Sequence, residues 1–442
     1  MEVTLGDLLL SREARADKQR EMLALYNAPL VSFTMNIPGP EKTSLLIERA
    51  FDFGVSLIVE KLSASKILAE HKKYDKCGPV LIISVDDDAQ KLKQMFTKIE
   101  DNHPLGRLFD IDVIMTDGTH LTRECERGCI VCGAPGRACA AGRGHSVNEL
   151  VFITNKIMSD FFLSHDAERI ALLARDSLIQ EVYTSPKPGL VDSENNGSHL
   201  DMSRVDFERS ADAAVPYFKG CFLAGALSKE NDGAPLFLSL RELGLKAEKE
   251  MYLITGGKNT HKGAIFSYGI IIGALARLMG HSGKMPEIVD ILSEASSISR
   301  PYLESDIQNF SGNTAGERAY FERGARGIRG EVIDGFPSLL DVSIPTYKSL
   351  VSTGKNKNDA GVITLLHLIG NVYDTCLYKR GGDEGVKYAR EYAKSLISKK
   401  DITLDDVRRM DADFTERNLS PGGCADLLAL TYFLCDIYRF NL

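Results

Sequence analysis

The sequence lacks several features that would assign it to a broad class. It has no tryptophan, which excludes no function by itself, and its net charge is −8. General nucleic-acid binding usually requires a basic face, so the acidic balance argues against a nucleic-acid partner. Local clusters of arginine and lysine remain compatible with small anionic ligands.

Export and membrane signals are also missing. Residues 1–7 carry neither a basic flank nor an apolar core of the signal-peptide type. The longest uncharged apolar stretch lies between Lys262 and Arg277, and its 14 residues are too few to cross a bilayer. The nine cysteines form no regular framework. We therefore expect a cytoplasmic protein with reduced thiols and no membrane partner.

What is present indicates a folded chain of more than one domain. The 442 residues are 44% hydrophobic and 26% charged, which is ordinary for a soluble globular protein. The pattern mixes helices and strands up to about residue 160 and is almost purely helical afterwards. We therefore predict two domains. The first, over 1–160, has an α+β or α/β pattern, of which we favour α/β, and the second, over 161–442, is larger and mainly α-helical.

The periodicity of the apolar residues predicts where the elements lie. In the first domain it predicts helices over 8–26 and 88–99 and strands over 30–36, 79–85 and 111–115. In the second domain it predicts helices over 166–183, 210–227, 264–279, 287–297, 360–378, 384–398 and 424–438.

Two carboxylates, Asp110 and Asp112, alternate with apolar residues in the stretch Gly-Arg-Leu-Phe-Asp-Ile-Asp-Val. If this stretch is a strand, both carboxylates lie on one face and can hold Mg²⁺ beside a phosphate. A glycine ahead of an Asp-x-Asp pair resembles the nucleotidyltransferase arrangement, which favours a nucleotidyltransferase-like first domain. The alternative is an ordinary pair of surface carboxylates, because the spacing alone is a weak signal.

A second pattern is a cluster of cysteine and histidine on a Gly- and Pro-rich loop. Cys129, Cys132, Cys139 and His145 have the spacing Cys-x2-Cys-x6-Cys-x5-His, which suits one tetrahedral zinc ion, with Cys125 as a spare ligand. The alternative is a loop of reduced, unligated thiols. Four arginines of this segment are either phosphate ligands or solvated side chains: Arg123, Arg127, Arg137 and Arg143.

Together these motifs resemble the citrate lyase holo-acyl-carrier-protein synthase family. The resemblance covers about residues 5 to 150 and rests on Ser-Arg-Glu-Ala-Arg at 11–15, Leu-Val-Ser-Phe-Thr-Met-Asn-Ile-Pro-Gly-Pro at 30–40, the Asp-x-Asp stretch and the cysteine cluster. It implies transfer of phosphoribosyl-dephospho-CoA onto a serine of the citrate lyase acyl carrier protein (the γ subunit), with release of pyrophosphate. Asp110 and Asp112 would hold Mg²⁺ against the α-phosphate and the leaving pyrophosphate. The candidate phosphate contacts are Arg12, Arg15 and Arg107.

In the second domain, polar residues cluster on loops between the predicted helices. The five segments are 184–201, 255–263, 324–337, 374–382 and 420–426. The segment 255–263 opens a helix, so its backbone N–H groups and the helix dipole favour a triphosphate. His261 is a candidate catalytic residue of this segment, although such a histidine is more often structural. The candidate phosphate contacts here are Lys258, Asn259, Thr260 and Lys262.

These five segments resemble, in order, the triphosphoribosyl-dephospho-CoA synthase family. The resemblance implies that a ribose hydroxyl of dephospho-CoA bonds to the anomeric carbon of ATP and that adenine leaves. It requires a carboxylate as base or metal ligand, and the candidates are Asp201, Glu331 and Asp374, with Asp426 as a further Mg²⁺ ligand. The other candidate phosphate contacts are Lys187, Arg326 and Arg380.

The two resemblances support each other, because the product of the second domain is the substrate of the first. We therefore expect ATP and dephospho-CoA as substrates, Mg²⁺ as cofactor, a structural Zn²⁺ at the cysteine cluster and the acyl carrier protein as partner. Two alternatives stay open. One is the equivalent pair of activities for malonate decarboxylase, and the other is a non-catalytic scaffold that binds zinc or a carrier protein.

Overall fold

A computed structural model describes residues 2–229, 233–282, 284–312 and 315–439. The chain divides into two compact units, Met1–Ser164 (unit 1) and His165–Leu442 (unit 2). The division falls inside one long helix, so no flexible linker separates the two units in sequence.

Unit 1 contains a four-stranded sheet and helices that cover it. The strands are β1 (Leu30–Met35), β2 (Lys66–Lys73), β3 (Val80–Asp86) and β4 (Phe109–Ile114). The helices are α1 (Leu5–Tyr26), α2 (Leu45–Lys61), α3 (Ala89–Asn102), α4 (Gly136–Ala141) and the first part of α5 (Val147–Tyr183).

The sheet differs from the expected α/β type. Its strand order is β2-β3-β1-β4, and every neighbouring pair is antiparallel, which makes unit 1 an α+β structure. Antiparallel neighbours do not need the helical crossovers that parallel strands require. The sequence patterns predict β1, β3 and β4 but not β2, because β2 is a polar edge strand in which no residue is fully buried.

Two apolar layers lie on opposite faces of the sheet, because successive side chains of a strand alternate. The larger layer includes Phe33, Ile83 and Val113 and packs against α2 and α3. Phe33 stacks on Phe51 of α2 with ring centroids 5.0 Å apart. The smaller layer packs Met22 of α1 against the other face of the sheet. This second face also carries the two acidic residues of β4.

Unit 2 is helical throughout its described part. Its helices are the second part of α5, α6 (Arg204–Ala226), α7 (Gly233–Ile254), α8 (Lys262–Ser282), α9 (Ile288–Gln308), α10 (Ala315–Arg323), α11 (Gly327–Ile333), α12 (Ile344–Ser352), α13 (Lys357–Asn371), α14 (Thr375–Ile397), α15 (Leu404–Glu416) and α16 (Gly422–Asp436). A π-helical turn, Ser338–Ser343, leads into α12.

The predicted helix over 360–378 is wrong as a single element. The chain leaves the helical conformation at Val372, where ψ is 145°, and Asp374 then caps α14. The axes of α13 and α14 consequently differ by 58°. Apolar periodicity continues through the break and hides it, because apolar residues follow on both sides of it, with Val372 half-buried and Leu377 buried.

Among the described residues, α8 has the length and hydropathy of a membrane span. It is also the helix that the sequence predicts to be buried, and 72% of its apolar window is enclosed by the rest of unit 2. Tyr268, Ile271 and Leu275 are fully buried. The apolar character of α8 is therefore accounted for by the core of unit 2.

Candidate active sites

A cavity of about 580 Å³ opens among the loops of unit 2; we call it the unit-2 cavity. All five polar segments predicted from the sequence contribute to its wall, as does the end of α5. The predicted site residues that line it are Lys187, Asp201, Asn259, Thr260, His261, Lys262, Arg326, Glu331, Asp374, Arg380 and Asp426. Folding thus brings together residues that are more than 200 positions apart in the chain.

An ion pair between Lys187 and Glu181 lies in the wall of the cavity. The Lys187 ammonium donates to the Glu181 backbone carbonyl at 2.8 Å and also to its carboxylate, and both side chains are almost completely buried. Burial raises the pKa of Glu181. Asp192 stabilises the loop that carries Lys187 by accepting a hydrogen bond from the backbone N–H of Lys187 at 2.8 Å.

No motif in the sequence singles out Glu181 as a site residue. It stands in the last turn of a long amphipathic helix, where an acidic residue is ordinarily a solvated surface group. Only the fold shows that this turn points into the interior and pairs with Lys187. A buried salt bridge of this kind needs both partners, because either charge alone would be left without compensation.

A neutral histidine connects two further segments of the wall. His199 Nδ1 accepts a hydrogen bond from Arg380 at 3.0 Å, since a guanidinium can only donate. Its Nε2 therefore carries the proton and donates to Ser420 Oγ at 2.9 Å. Burial and the Arg380 charge lower the pKa of His199 to about 4. Asp201 lies 4.0 Å from this ring, and its side chain is 69% exposed.

Asp426 places its carboxylate at the start of α8. The backbone N–H of Ala264 donates to it. A Cβ on Gly263 would lie 2.1 Å from Asp426 Oδ2, so glycine is required there to admit the carboxylate. Burial raises the pKa of Asp426 well above its usual value, and the charges of Glu181 and Asp374 raise it further. The helix N-terminus that the sequence assigns to a triphosphate is thus already next to an acidic side chain.

Asp374 has a structural task that the sequence did not reveal. It caps α14 by accepting the N–H groups of Cys376 at 2.6 Å and Leu377 at 3.1 Å. Its second oxygen accepts the N–H of Cys424 at 2.8 Å. Burial raises the pKa of Asp374 although these bonds favour the charged form. Asp374 therefore positions two helices at the cavity wall.

Glu331 and Arg326 line the cavity from α11 and the turn before it. The Glu331 carboxylate accepts two bonds from Ser338, one from Oγ at 2.6 Å and one from the backbone N–H at 3.2 Å. Burial raises the pKa of Glu331. Arg326 forms an ion pair with Asp334. Both predicted groups are therefore present at the cavity, each with an intramolecular partner.

The predicted cationic residues differ in whether they line the cavity and in whether an acidic residue already pairs with them. Lys258 does not line the cavity, and its ammonium pairs with Asp206 at 2.9 and 3.0 Å. Lys262 lines the cavity but pairs with Glu248 at 2.9 Å. Lys379, which the sequence did not single out, lines the cavity and has no acidic partner among the residues that the structure describes.

Unit 1 has its own, more open cavity of about 1450 Å³, the unit-1 cavity. Asp110 and Asp112 lie in its wall on edge strand β4, opposite Thr34 and Ser32 of β1. The burial of β4 alternates, so both carboxylates lie on the same face. Burial and the neighbouring charge of Asp110 raise the pKa of Asp112.

Helix α1 packs on the sheet face that carries Asp110 and Asp112, and the residues along one side of the helix face the sheet. Gln19 donates to Ser32 Oγ at 2.9 Å, and Arg15, one turn earlier, lies close enough to lower the pKa of Asp112. Arg12 stands one further turn toward the N-terminus and lies near Lys42. Neither Arg12 nor Arg15 has an acidic hydrogen-bond partner among the described residues. Two arginines that have no acidic hydrogen-bond partner among the described residues therefore lie on the same sheet face as the two carboxylates.

The other arginines of unit 1 are held by the loop that follows β4. Arg107 donates to the carbonyl of Gly128, and Arg127 donates to the carbonyl of Phe109 at 2.7 Å and pairs with Glu100. Glu100 is buried and also accepts the N–H of Ile111 at 2.9 Å. Burial and the charge of Arg127 lower the pKa of Arg107. These bonds connect the loop that carries Cys129, Cys132 and Cys139, which we call the cysteine loop, to β4.

The four predicted zinc ligands come together. One ligand atom from each of Cys129, Cys132, Cys139 and His145 lies within 4.8 Å of all the others. Hydrogen bonds from neighbouring backbone N–H groups lower the pKa of Cys129 to about 6, which favours the thiolate. Cys125 is exposed and is not part of this cluster. The donor set is that of a closed, structural tetrahedral site.

Comparison with known families matches both units in order. Residues 3–161 match the family CitX, described as apo-citrate lyase phosphoribosyl-dephospho-CoA transferase. Residues 167–441 match the family CitG, described as ATP:dephospho-CoA triphosphoribosyl transferase. The two matches fall on either side of the division between the units.

Two of its relatives match nearly the whole chain, and another matches a part of it. The chain is 32% identical to "Protein CitXG" of Haemophilus influenzae, over 99% of this chain and 97% of that protein. It is 31% identical to "Protein CitXG" of Leuconostoc mesenteroides subsp. cremoris, over 98% and 97%. It is 39% identical to a "Probable 2-(5''-triphosphoribosyl)-3'-dephosphocoenzyme-A synthase" of Citrobacter koseri, over 61% of this chain and 91% of that protein.

Proposed function

The chain belongs to the family of fused CitX and CitG proteins, and on that premise we propose that each unit holds one complete active site. It is a bifunctional enzyme of citrate lyase prosthetic-group biosynthesis. Its second unit makes triphosphoribosyl-dephospho-CoA from ATP and dephospho-CoA and releases adenine. Its first unit transfers phosphoribosyl-dephospho-CoA to citrate lyase and releases pyrophosphate. The observation that carries the proposal is that each unit encloses its own cavity lined by carboxylates and cations.

In the unit-2 cavity, the acidic residues are candidates for two tasks. Glu331 is partly accessible from the cavity and is the candidate base for the attacking ribose hydroxyl, because burial raises its affinity for a proton. Asp426 is the candidate Mg²⁺ ligand. Burial raises the pKa of Asp426 and the charges of Glu181 and Asp374 raise it further, so a divalent cation beside this carboxylate would be stabilised by its negative charge. Bound Mg²⁺ would neutralise phosphate charge on ATP.

Cationic and polar groups of the same cavity are candidates for binding the triphosphate. Arg326 and Arg380 offer planar N–H donors, and Lys262 offers an ammonium group at the start of α8. Lys379 adds an ammonium group that has no acidic partner among the described residues. Lys187 contributes positive charge to the wall, but its ammonium group already forms an ion pair with Glu181.

In the unit-1 cavity, Asp110 and Asp112 are the candidate Mg²⁺ ligands. Both carboxylates lie on one face of β4, and burial together with the neighbouring charge of Asp110 raises the pKa of Asp112, a shift that a bound divalent cation would oppose. Bound Mg²⁺ would stabilise charge on the α-phosphate and on the leaving pyrophosphate. Arg12 and Arg15 are the candidate phosphate contacts on α1, whereas Arg107 supports the cysteine loop through Gly128.

We assign the cysteine cluster to a structural Zn²⁺ ion. The four donors, three thiols and one imidazole, fit the metal in number and in chemistry. The loop also carries Arg127, whose bonds to Glu100 and Phe109 reach the strand of the two aspartates. Bound Zn²⁺ would fix the loop and therefore the shape of the unit-1 cavity.

The partner of unit 1 is proposed to be the acyl carrier protein of citrate lyase, whose serine hydroxyl accepts the phosphoribosyl group. The proposed location is the cytoplasm, and neither nucleic acid nor membrane is a proposed partner. The decisive test incubates the purified chain with ATP, Mg²⁺, dephospho-CoA and apo carrier protein. Free adenine measured by chromatography, together with a mass gain on the carrier protein, supports the proposal. Adenine release without any mass gain would restrict the proposal to unit 2.

A further inference from the structure

One nitrogen of the unit-2 cavity is buried without a partner. His261 is 3% exposed and lines the cavity, and its Nε2 makes no hydrogen bond to any residue that the structure describes. Buried polar atoms are hydrogen-bonded in almost all native proteins, so an orphaned imidazole nitrogen in a cavity wall indicates a place where a ligand atom binds.

The other side of the ring is fixed by a short chain of hydroxyl groups. Thr260 Oγ1 donates to Ser210 Oγ at 2.8 Å, and Ser210 Oγ lies 2.9 Å from His261 Nδ1. We assign the Ser210 proton to His261 Nδ1, the acceptor that it reaches while Ser210 Oγ accepts from Thr260. The imidazole proton then resides on Nε2, and the orphaned nitrogen is a donor.

The surroundings keep this imidazole neutral. Burial, together with the nearby Lys187 charge, lowers the pKa of His261 to about 3. A neutral ring with its proton on Nε2 offers one strong hydrogen bond without bringing a positive charge into the cavity. Neutral imidazoles of this kind polarise reacting groups in other enzymes.

An aromatic ring lies beside His261, and the same cavity has further apolar residues in its wall. The ring of Phe207 meets the imidazole edge to face, with centroids 5.1 Å apart and an interplanar angle of 86°. Leu190, Val191 and Met202 line the same cavity. An apolar wall with one fixed donor suits a planar heteroaromatic ring, whose faces are apolar and whose edge accepts hydrogen bonds.

We propose that this wall, formed by Phe207, His261 and their apolar neighbours, is the subsite of the departing adenine, and that His261 Nε2–H donates to a ring nitrogen of the purine. The proposal rests on the adenine-releasing activity assigned above and adds a residue role to it.

In the reaction the bond between the ribose anomeric carbon and purine N9 breaks, and its electron pair stays on the purine. The hydroxyl oxygen bonds to the anomeric carbon and gives its proton to a cavity carboxylate. The purine anion takes one proton from water, and the carboxylate returns its proton to the solvent, so that one hydroxyl proton is exchanged in total for the N–H proton of adenine. The hydrogen bond from His261 stabilises the charge that develops on the purine.

The test compares substrates whose leaving groups differ. For His261→Ala we expect adenine release from ATP to fall by about 100-fold, as for removal of one donor that acts at the transition state. N7-methylated ATP carries a positive charge on its purine, which leaves as a neutral base and needs no donor. The variant should therefore lose less than about 5-fold with this substrate, relative to the wild type and after subtraction of the spontaneous reaction.

His261→Gln serves as the matched variant, because its amide can still donate near the Nε2 position, and it should retain more activity with ATP than the alanine variant. Equal losses of His261→Ala on both substrates would overturn the proposal and leave His261 a structural residue. If the alanine variant does not fold, the same two substrates are compared with Ser210→Ala, which removes the group that fixes the tautomer and should give a smaller loss of the same kind. If the wild type releases no adenine from ATP, the assignment of activity fails, and this outcome differs from any of those above.

Discussion

Asp374 Oδ2 accepts the backbone N–H of Cys424 at 2.8 Å, and the same carboxylate caps α14 through the N–H groups of Cys376 and Leu377. One buried side chain therefore connects the starts of α14 and α16. We expect Asp374→Ala to leave these N–H groups without partners and to lower the free energy of unfolding by about 3 kcal/mol. The urea midpoint of the full chain measures this loss.

Asp374→Asn is the matched control for this position. Asparagine caps helices as well as aspartate does, so it should keep the bonds to Cys376 and Leu377 and lose mainly the bond to Cys424. Its midpoint is expected between those of the wild type and the alanine variant. An alanine variant as stable as the wild type would contradict the capping role.

The ion pair of Glu181 and Lys187 gives a second prediction. Because both groups are buried, Lys187→Met should leave an uncompensated carboxylate and destabilise the protein by about 3 to 5 kcal/mol. The double variant Glu181→Gln with Lys187→Met removes both charges and should recover part of this stability. A double-mutant cycle of urea midpoints tests the coupling. Additive losses in the cycle would mean that the two charges do not depend on each other.

The cysteine cluster predicts one bound zinc ion per chain, measured by elemental analysis after purification without added metal. Cys132→Ser should lose this zinc and lower carrier modification, because the loop that borders the unit-1 cavity loses its fixed shape. Cys125→Ser is the matched control, since Cys125 is an exposed cysteine outside the cluster. Equal zinc content in the two variants would remove the assignment.

The neutral His199 predicts a dependence of stability on pH. Its pKa is about 4 in the folded protein and near 6.5 in the unfolded chain, so the unfolded chain takes up the proton first. Titration of His199 therefore leaves the free energy of unfolding unchanged above about pH 6.5 and lowers it as the pH falls toward 4. Buried carboxylates with raised pKa, such as Asp426, act in the opposite direction.

A comparison of variants isolates the histidine. The wild type should lose more stability between pH 6.5 and 4 than His199→Asn does, because asparagine does not titrate in this range. Urea midpoints at four pH values measure the two slopes. A variant whose slope equals that of the wild type would show that His199 is not held neutral.

Local sequence patterns predict the parts of the structure that depend on short segments. The strand with Asp110 and Asp112 and the spacing of the four metal ligands both follow from residues fewer than 20 positions apart. The polar loops of unit 2 are also visible in sequence, because glycine and proline mark them. The structure brings all five of these loops to one cavity.

Other features depend on packing between distant segments and leave no local signal. Glu181 has the sequence context of a surface residue, yet it pairs with Lys187 in the interior. Asp374 has the context of a residue inside a helix, yet it caps α14 and also accepts the N–H of Cys424, which lies 50 residues later in the chain. Lys258 looks like a phosphate ligand, but Asp206, some 50 residues earlier, already binds it.

Independence of the two active sites is the central expectation. We expect Asp112→Asn to abolish the mass gain of the carrier protein while adenine release stays within about 2-fold of the wild type, because the two carboxylate sites lie in different units. Asp426→Asn should abolish both adenine release and, in consequence, the mass gain. The most direct measurement mixes these two variants with ATP, Mg²⁺, dephospho-CoA and apo carrier protein. We predict that the mixture restores the mass gain, since each chain supplies the activity that the other lacks; no mass gain from the mixture, or loss of adenine release in Asp112→Asn alone, would contradict two separate sites.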